Sequence, residues 1–284
     1  MLLGVDYYPE QWDTSLMEAD MDRILELGCN VIRIGEFAWH RMEKQEGQFD
    51  FSYFDGVIAM AKQKGLQVIF GTPTATPPAW LITKYPDILS RFPDGSPHVA
   101  CYSNPHYLEA CRKIITALAE HYRGEESIVA WQVDNEIGHE GSDLCWCDHC
   151  RDGFRCHLDK AFAGDINKLN DTFGTAFWSQ EYNSFEEIPL PNATITTHNP
   201  ALRLEWERFC SEKLVDFIRF QADLLHELLP GAVVMHDFPG GGLTKHVSYA
   251  DVAACLDQLA FNNYPVWGGQ KEPLPSSEIA FGLD

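Results

Sequence analysis

Positive charge is scarce in this chain relative to negative. Its 284 residues carry 21 Lys and Arg against 42 Asp and Glu, a net charge of −21 with histidine neutral. So acidic a surface repels phosphate backbones and anionic lipid. Nucleic-acid and membrane-surface roles are set aside, and a neutral or cationic substrate is favoured. No apolar stretch approaches the roughly 18 uninterrupted residues that a membrane helix needs. The N-terminus lacks the basic region, apolar core and small-residue cleavage site of a secretory signal, and Met1 runs straight into a strand-like segment, Leu2 to Tyr8. Without an export signal, nine cysteines, an odd number, read as reduced thiols or metal ligands in the cytoplasm, not as a disulfide frame. No internal repeat, low-complexity tract or flexible linker interrupts the chain, and no Gly-rich phosphate loop follows any strand-like run.

What is present is an alternation of two periodicities. Strand-like runs occur at 2–8, 30–36, 66–70, 128–133, 232–235 and 259–261. Helical spacing fills the intervals. Ser15 with Glu18 resembles a capping box ahead of Leu16, Met17, Met21, Ile24, Leu25 and Leu27, with Gly28 as the stop. Asp50 can cap a helix carrying Phe54, Val57, Ile58 and Ala61, closed by Gly65. Further helices are expected over about 105–122 and 200–229. Strands alternating with helices in this way imply a parallel sheet with helical crossovers.

Periodicity leaves open whether such a sheet closes or is doubly wound. Polar and aromatic residues crowd the end of nearly every strand: Asp6-Tyr7-Tyr8, Glu36, Thr72, Asn135-Glu136, His236-Asp237 and Asn262-Asn263-Tyr264. A barrel builds its active site from all those ends, whereas an open sheet gathers such residues at one switch point. The expectation is an α/β fold, a TIM (β/α)8 barrel truncated after about six of its eight strands, in which residues 1–284 form one catalytic domain with no second domain. A Cys-rich excursion is expected at about 139–198. Ser276-Ser277-Glu278 reads as the start of one more helix.

Glu136 stands just past the apolar run 128–133, where a partly desolvated carboxyl suits a general acid. Asn135 beside it can donate a hydrogen bond to a sugar hydroxyl. Glycoside hydrolysis needs a second carboxyl on the opposite face of the bond. In a chain with 42 acidic residues, Glu136 alone would serve equally well as a helix cap.

Cys145-x-Cys147-x-x-Cys150 brings three soft ligands into one tight turn, a pattern suited to tetrahedral zinc. The fourth ligand is open among His149, Cys156, His157 and Cys101. A zinc-dependent deaminase would need a His-x-Glu run ahead of Pro-Cys-x-x-Cys, and neither occurs.

Longer runs narrow the reading. Tyr7-Tyr8-Pro9-Glu10-Gln11-Trp12, Glu36-Phe37-Ala38-Trp39, the segment 71–81, Trp131-Gln132-Val133-Asp134-Asn135-Glu136 and the segment 174–180 together resemble glycoside hydrolase family 42. That is a β-galactosidase family of retaining enzymes in a TIM barrel. The resemblance implies retaining hydrolysis of terminal β-D-galactosides, with Glu136 as acid/base. It also implies that Asn135 binds substrate, that Trp178 and Tyr264 line the sugar pocket, and that Cys101 joins Cys145, Cys147 and Cys150 around a structural, non-catalytic zinc. No organic cofactor is implied. The partner is a small carbohydrate, and assembly as a homo-oligomer, a trimer in the family, goes with it.

Two departures stand out. The family's nucleophile is a Glu in a Met-Glu-Gln-like motif on the seventh strand, and no such motif occurs here; Pro97 stands where the family has a sugar-contacting Arg. Glu10, Glu36 and Asp237 are the alternative carboxylates at strand ends, but none belongs to a seventh strand. The competing expectation is a sugar-binding or inactive chain without the second carboxylate.

Overall fold

The computed structural model describes residues 1–191, 198–239, 246–262 and 275–277. Six strands form one parallel sheet: β1 (Gly4–Asp6), β2 (Val31–Ile34), β3 (Gln67–Gly71), β4 (Ile128–Gln132), β5 (Val234–Phe238) and β6 (Gln258–Phe261). Their order in the sheet is their order in the chain. No reversal creates a switch point, so the arrangement is the wall of a barrel and not a doubly wound sheet. The register runs through Gly4 opposite Val31, Val31 opposite Gln67, Phe70 opposite Trp131, Trp131 opposite Val234 and Asp237 opposite Ala260, with one irregularity between Val68 and Ile69 where β3 meets β4.

The crossovers include α1 (Met17–Glu26), α2 (Ser52–Lys64), α3 (Pro105–His121), α4 (Asp148–Ala161), α5 (Ile166–Phe173), α6 (Pro200–Leu228) and α7 (Tyr249–Ala253). Local chemistry sets their ends. Asn104 caps α3 through His106 N and Tyr107 N, with Pro105 at the first helical position. Asn199 caps α6 in the same way, ahead of Pro200. Gly65 ends α2 in the left-handed conformation.

All six expected strands are present, and the four expected helices lie close to their expected spans. The capping box is not. Asp13 accepts from Ser15 N and starts a short 3-10 turn over Thr14–Leu16, so Ser15 lies inside the turn and does not cap α1. Of the apolar residues at helical spacing there, Met17, Met21 and Ile24 are buried, whereas Leu16 and Leu27 are exposed. Two small hairpins were not anticipated, Glu43–Gln45 with Gln48–Phe49 and Leu89–Arg91 with Pro97–Ala100. Their strands are too short to show alternation. Ser276 and Ser277 are helical; the rest of the expected last helix lies outside the described residues.

Two apolar clusters fill the molecule. The larger lies between sheet and helices, built on Ile32, Phe54, Phe70, Tyr107, Trp131, Phe217 and their neighbours. The second gathers Phe154, Leu158, Leu169, Phe185, Ile188, Leu202, Trp206 and Phe209 with the four cysteines at 101, 145, 147 and 150. α6, 29 residues long, serves both: Leu202 to Cys210 pack in the second cluster and Leu214 to Leu225 in the first. No described helix is long and apolar enough to cross a membrane.

Candidate active site

The strand ends converge on one polar cluster around Arg33, a cation inside the otherwise apolar β2. Its Nη2 lies 3.0 Å from Asp6 Oδ2, its Nε 2.7 Å from Glu36 Oε1 and its Nη1 3.4 Å from Asp237 Oδ2. Nη1 also donates to Gln132 Oε1 at 2.9 Å. The Nε contact is off the N–H axis and works as an ion pair more than a directed hydrogen bond. Tyr8 donates its hydroxyl to Glu36 Oε1 at 2.8 Å. β1, β2, β4 and β5 thus meet on one guanidinium.

Backbone proximity makes the cluster compact. A Cβ on Gly71 would sit 2.5 Å from Glu36 Cβ, so β3 passes the end of β2 only because residue 71 has no side chain. Gly35 has φ +97, and a Cβ there would meet the Phe70 ring at 2.7 Å.

Glu136 reaches this cluster by a strained path. After β4 the chain turns through Asp134 at φ +56 and Glu136 at φ +44, left-handed positions that non-glycine residues rarely hold. Asp134 is fixed on the β3 side: Thr74 Oγ1 donates to its Oδ2 at 2.5 Å, and its N–H donates to Thr72 Oγ1 at 2.8 Å. Gln221 from α6 accepts from both threonine hydroxyls. Asn135 between the two strained residues is half-buried, its N–H donated to Asp134 Oδ1 at 2.9 Å.

On the other side, Glu136 N donates to Asp237 Oδ1 at 3.3 Å and Ile137 N to His236 Nε2 at 3.2 Å. The Glu136 carboxyl accepts a 2.6 Å bond at Oε1 from Asn262 Nδ2, which also donates to Asp237 Oδ2 at 3.0 Å. His139 Nε2 stands 3.8 Å from Glu136 Oε2.

Burial dominates the acidities. It raises the Asp237 carboxyl to about 6, against the opposing pull of Arg33 and Asn262. It also raises Glu36 and Asp134 above the carboxylate range, although Arg33 opposes it at Glu36 and the Thr74 hydroxyl at Asp134. His236, wholly buried, is pushed below the ordinary imidazole value.

Of the residues singled out in the sequence, Glu136 and Asn135 lie at this cluster. Trp178 is 65% exposed, at φ +58 in a 3-10 turn, its ring edge-on to the equally exposed Phe177. No hydrogen bond or ring contact among the described residues joins it to the Glu136 cluster. Tyr264 lies outside the described residues. Glu36 and Asp237 have no exposed side-chain surface and are held by Arg33, and both Glu10 carboxyl oxygens are buried without a hydrogen-bond partner, so none of the three is presented as an attacking group. Sequence reasoning passed over Arg33, Asp134 and Gln221; a charged residue inside the run Val31-Ile32-Arg33-Ile34 was the available signal.

The cysteine cluster forms a separate centre. Cys101, Cys145, Cys147 and Cys150 are all buried, and their sulfurs lie within 4.8 Å of one another. Cys101 Sγ is 3.5 Å from Cys150 Sγ and 3.6 Å from Cys147 Sγ. Four thiolates at Zn–S distances of about 2.3 Å in a tetrahedron would stand about 3.8 Å apart, so the donor set fits a metal ion. The other candidates for the fourth ligand face elsewhere. His149 points to Asp87, His157 lies between Glu205 and Glu212, and Cys156 is exposed.

Comparison with known proteins follows the same lines. The chain is 40% identical over 285 residues to a beta-galactosidase of Thermus thermophilus, covering 98% of this chain and 43% of that protein. Beta-galactosidase Bga of Halorubrum lacusprofundi is 38% identical over 271 residues, 93% of this chain and 38% of the relative. The solved beta-galactosidase from Halorubrum lacusprofundi superposes with a TM-score of 0.88 at 37% identity, over 93% of this chain and 40% of that one. The beta-galactosidase from Bacillus circulans sp. alkalophilus superposes with the same score at 29% identity, over 99% and 42%. A beta-amylase catalytic domain from Paenibacillus polymyxa, 14% identical with a TM-score of 0.77, shares the fold alone. The chain spans about two fifths of the length of the curated relatives it matches. A family model described as beta-galactosidase matches residues 6–284, and with these identities it shows that the chain belongs to glycoside hydrolase family 42.

Proposed function

We propose that the protein is a retaining β-galactosidase in which residues 1–284 supply the acid/base half of the catalytic site. Glu136 protonates the glycosidic oxygen as the bond to the anomeric carbon breaks, and later deprotonates the water that releases galactose. Asn135 binds a sugar hydroxyl beside it, with Trp178 and Tyr264 as walls of the pocket. The attacking carboxylate is a Glu on a seventh strand, about 5–5.5 Å from Glu136 as retention requires. The observation that carries the reading is the placement of Glu136: a carboxyl at the mouth end of β4, aimed by a strained turn and bonded to Asn262 just past β6.

The cysteine cluster supports a structural zinc held by Cys101, Cys145, Cys147 and Cys150. With four protein ligands it leaves no open coordination position, so its role is to brace the excursion at 139–198 against the barrel, not to act on substrate. The 284 residues work as one unit, the excursion being its buttress. A cytoplasmic setting, where all nine cysteines stay reduced, accompanies this reading.

The test uses the full-length gene product with aryl β-galactosides. Glu136→Ala is expected to lose hydrolysis of phenyl β-galactoside. On a dinitrophenyl galactoside, added azide is expected to restore turnover by taking the place of water, yielding β-galactosyl azide. Wild-type hydrolysis left intact in Glu136→Ala would exclude the assignment; galactoside binding without any turnover in the wild type would favour a sugar-binding chain.

A further inference from the structure

The strained turn that presents Glu136 needs an anchor on each side. Left-handed conformations at Asp134 and Glu136 are costly for non-glycine residues, and persist only where the surroundings over-determine them. Toward β3, the threonine pair and Gln221 hold Asp134. Toward β5 the contacts come from His236 and Asp237, two neighbouring residues whose side chains are wholly buried.

His236 makes two bonds, one on each side of the turn. Its Nε2 takes the N–H of Ile137 at 3.2 Å, and its Nδ1 lies 2.7 Å from the carbonyl oxygen of Val133. A backbone N–H can only donate and a backbone carbonyl can only accept. Nε2 is therefore unprotonated and Nδ1 carries the hydrogen, which makes the imidazole neutral. The ring spans residues 133 and 137, the last position before the strained segment and the first one after it. Burial, aided by the Arg33 charge, outweighs the opposing pull of the Val133 carbonyl, Asp134 and Glu136 and keeps the ring neutral. With no exposed surface, His236 cannot itself meet a sugar.

We infer that His236 is a positioning residue for Glu136: its neutral imidazole, bonded to Val133 O and Ile137 N, staples the left-handed turn shut and sets the direction of the Glu136 carboxyl. The inference deepens the acid/base reading and rests on it. A staple of this kind acts on proton delivery and leaves sugar recognition alone. Its removal therefore hurts substrates in proportion to how much their leaving group needs a proton.

The experiment compares wild type, His236→Phe and His236→Gln as full-length protein on phenyl and 2,4-dinitrophenyl β-galactosides. Phe keeps a ring and removes both bonds; Gln keeps one donor and one acceptor. In His236→Phe, kcat/KM for the phenyl substrate is expected to fall about 100-fold, the scale of general-acid assistance, while the dinitrophenyl substrate loses less than about threefold. His236→Gln should recover most of the phenyl loss. Equal losses on both substrates, or a loss of thermal stability with kcat/KM unchanged, would overturn the inference. Amide hydrogen exchange at Ile137 supplies a readout independent of activity: slow in the wild type, fast in His236→Phe. A wild type that hydrolyses neither galactoside would sink the acid/base reading alone, and the staple is then decided by that exchange rate, unprotected exchange in the wild type overturning it.

Discussion

At the scale of single residues, the site turns on one cation among acids. Arg33 faces Asp6, Glu36 and Asp237, and the last two have no exposed side-chain surface. Removing the cation while leaving buried carboxylates behind typically costs about 3–5 kcal/mol. Arg33→Met is expected to cost that much at pH 8. At pH 5 the cost should at least halve, because the carboxyls escape by taking up protons. Asp237 sets the window. Its value is raised in the fold from 3.8 to about 6, so its protonated form stabilises the fold below about pH 4, and that contribution is lost as pH rises through 6. Urea denaturation of wild type and variant at the two pH values checks this. An equal loss at both would mean that Arg33 acts through packing and not through charge.

At the scale of elements, two approaches between segments can be tested. The ends of β2 and β3 pass so closely that a Cβ on Gly71 would meet Glu36 Cβ at 2.5 Å and Glu36 N at 2.9 Å. Backbone cannot give way as a flexible side chain can, so Gly71→Ala should destabilise by about 2–3 kcal/mol, read as a lower urea midpoint at unchanged slope. The second approach is the cysteine cluster, where the loop before α4 meets Cys101 at the end of the hairpin Leu89–Arg91 with Pro97–Ala100. Chelation is expected to release one metal ion per chain. It should speed amide exchange through α4, α5 and the first half of α6, leaving β1 to β4 unchanged. Exchange indifferent to the chelator would mark the cluster as plain reduced cysteines packed in the second core.

These elements differ in how far the sequence foretold them. The six strands were legible because each apolar run ends in polar residues, and α3 and α6 because Asn-Pro opens both. Glu136 and Asn135 were marked by their place after an apolar run, but only the family resemblance of the longer runs singled them out. The hairpins were too short for periodicity to register. The strained turn was hidden because nothing in Asp134-Asn135-Glu136 announces positive φ; its anchors Thr72 and His236 lie 62 and 99 residues from the backbone groups they bond, and Gln221 acts through the threonine hydroxyls. Long-range polar pairing of that sort is a property of the folded chain, not of local pattern.

At the scale of the whole molecule, the excess of acid competes with the ion pairs that the chain manages to form. Many of the cations are already engaged: Lys62 with Glu125, Lys64 with Asp22, Arg151 with Asp148, Arg203 with Glu207 and Arg219 with Asp216. These are mostly exposed pairs, each contributing about 1 kcal/mol or less and weakened by salt. The remaining net charge of −21 repels itself, and salt weakens that as well. The two effects have opposite signs, so the response to salt decides which is larger. Twenty-one cations cannot neutralise forty-two acids however they are arranged, and repulsion among the surplus acts over the Debye length, about 30 Å at 0.01 M and 3 Å at 1 M. Repulsion should therefore win. The melting temperature is expected to rise by several degrees as sodium chloride increases over that range, at fixed pH near 8. Chloride is the appropriate anion because sulfate would also strengthen apolar burial by exclusion and confuse the comparison. A melting temperature that falls with chloride would mean that the exposed pairs outweigh the surplus. The same argument separates stability from the proposed function: a galactoside substrate would be neutral, so its rate of capture should stay flat across the titration in which the fold grows more stable.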